Sequence, residues 1–124
     1  MSEFLSLGLD IGSTTVKLAL TSGSDILHQI YQRHQSDIRG SLAKCLDDLA
    51  AAFPDTSVHV AVTGSGGLGV SRAIGVPFVQ EVVAETAAVR ELMPDTDVII
   101  ELGGEDAKIT YMKPVPEQRM NGTC

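Results

Sequence analysis

The segment LGLDIGSTTVKLAL, residues 7–20, constrains the fold of this 124-residue chain more than any other stretch. Two apolar runs flank a short polar sequence, a pattern that predicts two strands joined by a tight turn. The corner holds the carboxylate of Asp10, a glycine, three hydroxyl groups and the ammonium of Lys17. A turn needs only the glycine and one small polar residue. This hairpin therefore carries more chemistry than turning requires.

The polar residues of this corner match the groups that bind a phosphate. Gly12 has no Cβ, which lets backbone amides approach a phosphate. Lys17 can place its ammonium against β- or γ-phosphate oxygens, and Asp10 ends a strand, where a carboxylate can hold Mg²⁺ through water. Three residues add hydroxyl donors: Ser13, Thr14 and Thr15. The alternative is a hairpin with a polar tip and a solvated lysine, and this segment alone leaves both interpretations open.

A later segment, VIIELGGEDAKITYM at 98–112, repeats the same design. Glu101 precedes Lys108 by the seven residues that also separate Asp10 from Lys17. Clustered carboxylates repel one another, and a dication between them relieves the repulsion. Glu101 is therefore a second candidate Mg²⁺ ligand, although a solvated turn is the alternative. Two acid–glycine hairpins would form a clamp that closes on a triphosphate from two sides.

Hydrophobic periodicity predicts an α/β fold with mixed strand directions. The predicted elements are strands at 4–11, 16–22, 26–33, 58–64 and 76–80, helices at 38–53, 68–74 and 84–93, and a strand–turn–strand unit at 98–112. We expect two similar subdomains, one at 1–94 and a truncated start of the other at 95–124. The chain ends at RMNGTC, which we interpret as a piece of something longer.

Composition restricts the class of protein. Hydrophobic residues make up 44% of the chain and aromatic residues only 4%, so the core must be aliphatic. A net charge of −7 argues against binding to a nucleic-acid backbone but not against ATP, which local amides and Mg²⁺ can hold. The N-terminus shows no secretory signal, and no apolar run has the length of a membrane span. We expect a soluble cytoplasmic protein.

The remaining glycine, cysteine and histidine residues give weaker signals. The segment TGSGG at 63–67 could line a nucleotide cleft, but a flexible strand–helix connection is the favoured interpretation because the Walker A ending is missing. Cys45 lies on the apolar side of the first helix and is expected in the core. Cys124 would need ligand partners elsewhere to bind a metal. Three histidines do not cluster and are expected to be structural: His28, His34 and His59.

Together these motifs resemble the N-terminal part of the 2-hydroxyacyl-CoA dehydratase activators, a family that includes the ATPase subunits of benzoyl-CoA reductase. LGLDIGSTTVKLAL resembles the first phosphate hairpin of the actin/Hsp70/sugar-kinase ATPase superfamily, and VIIELGGEDAKITY resembles the second. VTGSGG lies between them, and MNGTC follows. The resemblance covers essentially the whole chain and implies an RNase H-like, actin-like ATPase fold with a mixed five-stranded sheet flanked by helices.

The resemblance implies a homodimer in which a [4Fe-4S] cluster bridges the subunits. ATP hydrolysis would let the cluster pass a low-potential electron, supplied by ferredoxin or flavodoxin, to a 2-hydroxyacyl-CoA dehydratase or CoA-thioester reductase. By position, Asp10, Ser13, Thr14 and Lys17 match the first phosphate loop. The second loop is matched by Glu101, Gly103 and Gly104, and Cys124 matches the first cluster cysteine. The second cysteine and the adenosine-binding segment are absent, so the isolated chain is expected to be inactive.

Two departures distinguish this chain from the smaller activators, which read D-I-G-G-Q-D in the second hairpin. Glu101 is one methylene longer than aspartate, and Glu105 replaces a neutral amide and could position the attacking water. Two other functions share the fold: a sugar- or acyl-kinase-like phosphotransferase, and a non-enzymatic actin- or chaperone-like nucleotide-binding module. The sequence beyond Cys124 and the iron–sulfur absorption of the full protein would discriminate among them.

Overall fold

The computed structural model describes residues 4–103 and 106–121 of the chain. Its elements follow in the order β1 (Leu5–Ile11), β2 (Thr15–Ser22), β3 (Asp25–Arg33), α1 (Ile38–Ala52), β4 (Val58–Thr63), α2 (Gly67–Ile74), α3 (Glu81–Leu92), β5 (Val98–Leu102), β6 (Ala107–Tyr111) and β7 (Glu117–Asn121). The chain divides into two compact units between Val79 and Gln80. Within the described residues, no helix is both long enough and apolar enough to cross a membrane.

The first unit contains a mixed sheet with the strand order β3-β2-β1-β4. Strands β1, β2 and β3 form an antiparallel meander, whereas β4 returns through α1 to pair parallel with β1. Tight turns explain the meander, since Gly23 supplies the left-handed φ of +57° between β2 and β3. The α/β class with mixed strand directions is confirmed.

Alternation along β1 and β2 places their aliphatic side chains on one face of this sheet. Leu7, Leu9 and Ile11 of β1 are buried, and they cluster with apolar residues of α1. The other buried members of the cluster are Val16, Leu18, Leu20, Leu42, Cys45, Leu49 and Val62. Burying each large aliphatic side chain stabilises the fold by about 1.5–3 kcal/mol. Cys45 lies in this core as the sequence predicts, with 1% exposure.

Helix α1 begins and ends where local signals place its boundaries. The Asp37 side chain caps the helix by accepting a hydrogen bond of 2.9 Å from the Gly40 N–H. A Cβ at Gly40 would collide with that carboxylate, so this helical glycine makes room for the cap. At the other end, the Phe53 N–H donates to the Leu49 carbonyl and Pro54 follows.

The fifth strand predicted at 76–80 is reduced to an isolated parallel bridge between Val62 and Phe78. Two hydrogen bonds hold it: Val62 N–H donates to the Pro77 carbonyl at 2.9 Å, and Val79 N–H donates to the Val62 carbonyl at 2.8 Å. Pro77 has no N–H to donate, which limits pairing along this short segment. The sheet therefore has four strands with a bridge in the fifth position.

The second unit contains α3 and an antiparallel sheet with the order β5-β6-β7. The hairpin β5–β6 corresponds to the predicted strand–turn–strand unit, and β7 adds a third strand that the sequence did not indicate. The unit begins at Gln80, whereas the sequence predicted a boundary between residues 94 and 95. Helix α3 belongs with the second sheet because its residues bond to β6: Lys108 donates to Glu81, and Thr110 donates to Glu85.

Candidate phosphate-binding site

Four polar side chains form a row across the first sheet, on the face opposite the aliphatic core. Asp10 of β1 pairs with Lys17 of β2, and Lys17 pairs with Tyr31 of β3. On the other side, Asp10 pairs in parallel register with Thr63 of β4. Side chains of paired residues share a face of a sheet. The row Tyr31–Lys17–Asp10–Thr63 therefore collects residues from all four strands.

The Lys17 ammonium lies over the turn between β1 and β2. Its Nζ donates to Thr15 Oγ1 at 2.7 Å, is 3.7 Å from Asp10 Oδ2 and lies 5.6 Å from the Tyr31 ring centroid. About a third of the Lys17 side chain is exposed, so the ammonium is partly open to a ligand from solvent. This ion pair is exposed enough that its contribution to stability is small. The ammonium is thus available for another anion.

The turn at residues 12–14 presents backbone donors next to this ammonium. The Gly12 N–H closes the turn by donating to the Thr15 carbonyl at 2.9 Å. In the described part of the chain, the N–H groups of Ser13 and Thr14 have no acceptor, and both residues are exposed. A Cβ at Gly12 would lie 3.5 Å from Lys17 Nζ, an ordinary contact distance, so the ammonium lies directly beside the turn. Two free amides and an ammonium suit a phosphate.

The glycine-rich loop after β4 packs against the end of β1. Gly66 N–H donates to the Ile11 carbonyl at 2.8 Å, and a Cβ at Gly64 would lie 2.6 Å from Asp10 Oδ1. Gly64 has a φ of +100°, which L side chains rarely adopt. The loop TGSGG thus lies beside the candidate site rather than serving only as a connection.

Thr63 begins the TGSGG segment, which the sequence analysis considered as a whole without assigning a role to the Thr63 hydroxyl group. Its Oγ1 is buried and has no hydrogen-bond partner in the described structure. Buried hydroxyl groups are normally hydrogen-bonded, and an orphaned one often marks a site that an ion, water or ligand completes. Parallel pairing brings the carboxyl ends of β1 and β4 to the same edge of the sheet. A prediction that β4 pairs in parallel with β1 would therefore have placed Thr63 beside Asp10.

His34 is the second residue of the site that sequence reasoning did not identify as such. It is 5% exposed and bonds to the turn through ring and backbone. Its Nε2 lies 3.0 Å from the Gly12 carbonyl oxygen, and its N–H donates to the Thr14 carbonyl at 3.0 Å. A single histidine in a loop, 22 residues from its partner, gives no sequence signal for such a contact.

The hairpin β5–β6 of the second unit reproduces the geometry of β1–β2. Glu101 pairs directly with Lys108, as Asp10 pairs with Lys17. Gly103 N–H donates to the Asp106 carbonyl at 2.9 Å, the same closing bond that Gly12 makes. The short repeat in the sequence therefore corresponds to a repeat in structure at the level of register and turn closure.

The charges of the second hairpin are arranged differently from those of the first. Lys108 donates to Glu81 Oε2 at 2.9 Å, and its side chain is only 11% exposed. The hydrogen bond with Glu81 raises the pKa of Lys108 against the opposing effect of burial. Burial, followed by the hydrogen bond and charge of Glu101, raises the pKa of Glu85. Lys108 is therefore held within its unit, whereas Lys17 remains open.

The structure locates most of the predicted site residues but not all. In the first unit it brings together one group: Asp10, Gly12, Ser13, Thr14, Thr15 and Lys17. Glu101 and Gly103 lie in the second hairpin, whereas Gly104, Glu105 and Cys124 lie outside the described residues. Among residues 4–103 and 106–121, no group of three or more histidine, cysteine or acidic side chains could hold a metal ion.

Comparison with known proteins gives structural relatives only. No protein-family model and no curated protein sequence matches the chain. Component A of the (R)-2-hydroxyglutaryl-CoA dehydratase of Acidaminococcus fermentans is similar, with a TM-score of 0.83 and 20% identity over 98% of this chain and 49% of that one. The activator of the 2-hydroxyisocaproyl-CoA dehydratase of Clostridium difficile, with bound ADPNP, has a TM-score of 0.73 and 26% identity. The match covers 98% of this chain and 47% of the activator.

A phosphatase shows that the fold extends beyond activators. The Ppx/GppA phosphatase of Aquifex aeolicus has a TM-score of 0.60 and 15% identity, and the match covers 97% of this chain and 52% of the phosphatase. The chain spans about half the length of each of these proteins. The chain has the RNase H-like, actin-like ATPase fold.

Proposed function

We propose that this chain is the N-terminal ATPase part of an activator that couples ATP hydrolysis to electron transfer. The observation that carries the proposal is the hairpin built twice, with an acid opposite a lysine and a turn closed by a glycine amide. The chain is similar in structure to a dehydratase component A and to a dehydratase activator with bound ADPNP, and this similarity supports ATP as the proposed substrate. The phosphatase shares the fold at lower similarity.

In the proposed reaction, the first hairpin binds the phosphates of ATP. Lys17 and the free amides of Ser13 and Thr14 contact phosphate oxygens, while Thr15 orients the lysine through the bond of 2.7 Å to Nζ. Water attacks the γ-phosphorus, the bond to the β–γ bridging oxygen breaks, and ADP and inorganic phosphate leave. Catalysis of such a step rests on positioning and charge neutralisation. We propose that Glu105 positions the water.

The donor set around Asp10 fits a hydrated Mg²⁺. The carboxylate is 45% exposed, one oxygen faces Lys17 at 3.7 Å, and the orphaned hydroxyl of Thr63 is in register with it. Mg²⁺ keeps several of its waters and takes one or two carboxylates together with substrate phosphates. We propose that Asp10 holds the ion through water, while Glu101 of the second hairpin stays a candidate ligand on the resemblance of its motif. The ion would neutralise charge on the phosphates.

The proposed electron transfer involves parts of the protein beyond the described residues. Cys124 is proposed as one ligand of a [4Fe-4S] cluster shared by two subunits of a cytoplasmic homodimer. Ferredoxin or flavodoxin would supply the electron, and a 2-hydroxyacyl-CoA dehydratase or a CoA-thioester reductase would receive it. The resemblance of the motifs to the activator family supports this assignment, and the similarity to a dehydratase component and a dehydratase activator supports the dehydratase as partner.

The first test removes the lysine of the first hairpin. In the complete protein, we expect Lys17→Ala to weaken MgATP binding or slow its hydrolysis about 10- to 100-fold, since charge-assisted hydrogen bonds contribute about 1.5–3 kcal/mol. Lys44→Ala, at an exposed position of α1, is the matched control and should leave both unchanged. Circular dichroism should show the fold intact in both variants. Wild-type turnover in Lys17→Ala would remove this lysine from the mechanism.

A second test separates the activator from other functions of this fold. After anaerobic reconstitution with iron and sulfide, the complete protein should show iron–sulfur absorption at about 400 nm, and Cys124→Ser should lose it. A phosphotransferase would instead pass the γ-phosphoryl group to a sugar or carboxylate without binding iron. ATP hydrolysis without a cluster would contradict the proposed electron transfer while leaving the nucleotide site in place.

A further inference from the structure

His34 connects the turn between β1 and β2 to the start of α1, and the proposed reaction assigns it no role. Its ring and its N–H bond to the Gly12 and Thr14 carbonyls, one on each side of Ser13. Its own carbonyl accepts from the Asp37 N–H at 2.7 Å and from Ser41 Oγ at 3.5 Å. The histidine is 5% exposed, so water does not compete for these bonds.

The hydrogen bonds of the imidazole ring distinguish its two tautomers. Ser36 N–H donates to Nδ1 at 3.1 Å, so Nδ1 carries no proton. The proton of the neutral ring is then on Nε2, which donates to the Gly12 carbonyl at 3.0 Å. The contact set therefore selects the Nε2–H tautomer over the Nδ1–H tautomer.

The backbone around His34 is shaped to make this arrangement possible. Gln35 and Ser36 have φ values of +49° and +66°, a left-handed conformation that costs free energy in residues with a Cβ. The two successive left-handed residues return the Ser36 N–H to the ring of His34. Asp37 follows directly and caps α1. Strain of this kind persists where surrounding contacts determine it, often at functional sites.

We infer that His34 is the positioning residue of the phosphate turn. By bonding to the Gly12 and Thr14 carbonyls, it directs these two acceptors of the turn toward the protein and leaves the Ser13 and Thr14 amides free. These amides are the donors proposed for phosphate, so the expected effect of His34 on nucleotide binding rests on the proposed function. The geometry of the turn itself does not depend on the nucleotide.

The test combines a structural measurement with an affinity measurement in the complete protein. Long-range ¹H–¹⁵N spectra of ¹⁵N-histidine-labelled protein report the tautomer, and ¹⁵N relaxation of the Ser13 and Thr14 amides reports the order of the turn. MgATP affinity is measured for His34→Ala, His34→Gln and the control His59→Ala, at an exposed position of β4. Glutamine retains an N–H group near the position of Nε2, which makes it the conservative variant.

We expect the Nε2–H tautomer without nucleotide, increased mobility of both amides in His34→Ala, and about tenfold weaker MgATP binding or more. His34→Gln should restore most of the order and affinity, and His59→Ala should match the wild type. If His34→Ala does not fold, two measurements decide the inference. They are the ring tautomer of the wild type and the order of the turn amides in His34→Gln compared with the wild type. The other tautomer, or turn amides unchanged in a folded His34→Ala, would overturn the inference. Failure of the wild type to bind MgATP would count against the proposed function alone.

Discussion

Gly64→Ala is the substitution that most directly tests how the glycine-rich loop approaches the candidate site. A Cβ at this position would lie 2.6 Å from Asp10 Oδ1 and 2.6 Å from the Ile11 carbonyl carbon. The loop cannot move away without loss, because Gly66 N–H donates to the Ile11 carbonyl at 2.8 Å. Ile11 itself has no exposed surface. The added methyl group must therefore displace either the loop or the end of β1.

Two contributions set the size of the effect. The φ of +100° at Gly64 is strained for any residue with a Cβ, and a left-handed conformation costs about 1–2 kcal/mol. Forcing an added methyl group into a packed site costs about 1–3 kcal/mol more. We therefore expect Gly64→Ala to lower the free energy of unfolding by about 2–5 kcal/mol.

Two matched glycine substitutions separate these contributions in urea unfolding. Gly75 ends α2 with a φ of +69° and has open space where a methyl group would be added, so Gly75→Ala carries the backbone cost of about 1–2 kcal/mol alone. Gly69 lies within α2 with no atom within 4 Å of its added Cβ, so Gly69→Ala should stabilise the protein by about 0.5–1 kcal/mol. A loss for Gly64→Ala no larger than that for Gly75→Ala would refute the close approach to Asp10.

Two further predictions concern stability. The raised pKa of Glu85 means that folding favours its protonated form, so its stabilising contribution is complete below the unfolded pKa and is lost as pH rises through the folded pKa. Glu85→Gln should reduce the fall in thermal stability over that pH range, and an unchanged pH profile would contradict the assignment. Asp37→Ala removes the cap of α1 and should cost about 1 kcal/mol in urea unfolding, with the exposed Asp47→Ala as its unaffected control.

The elements with strong periodicity were predictable from the sequence. Alternation in residues 4–22 and the three- and four-residue spacing after Asp37 depend only on neighbours in the chain, which is why β1, β2 and α1 agree with the structure. The repeat of an acid and a lysine seven residues apart indicated two similar hairpins, and in the structure their registers match. In these places, local pattern and tertiary packing favour the same structure.

Features that depend on distant contacts were not predictable. Strand β7 has the polar sequence EQRMN and forms because β6 offers it a pairing edge. Helix α3 belongs with the second sheet through the contacts of Glu81 and Glu85, which no local pattern reveals. His34 bonds to Gly12 across 22 residues from within a loop. Each of these depends on a partner whose position only the folded chain specifies.

The row Tyr31–Lys17–Asp10–Thr63 links correct assembly of the site to correct assembly of the core. Side chains alternate between the two faces of a sheet, so a shift of one residue along a strand exchanges the faces of all its residues. A slipped β1 that removed Asp10 from the row would also move Leu9 and Ile11, now 2% and 0% exposed, out of the core. The hydrophobic effect therefore rejects misassembled sites during folding, before any ligand is present to select the correct one.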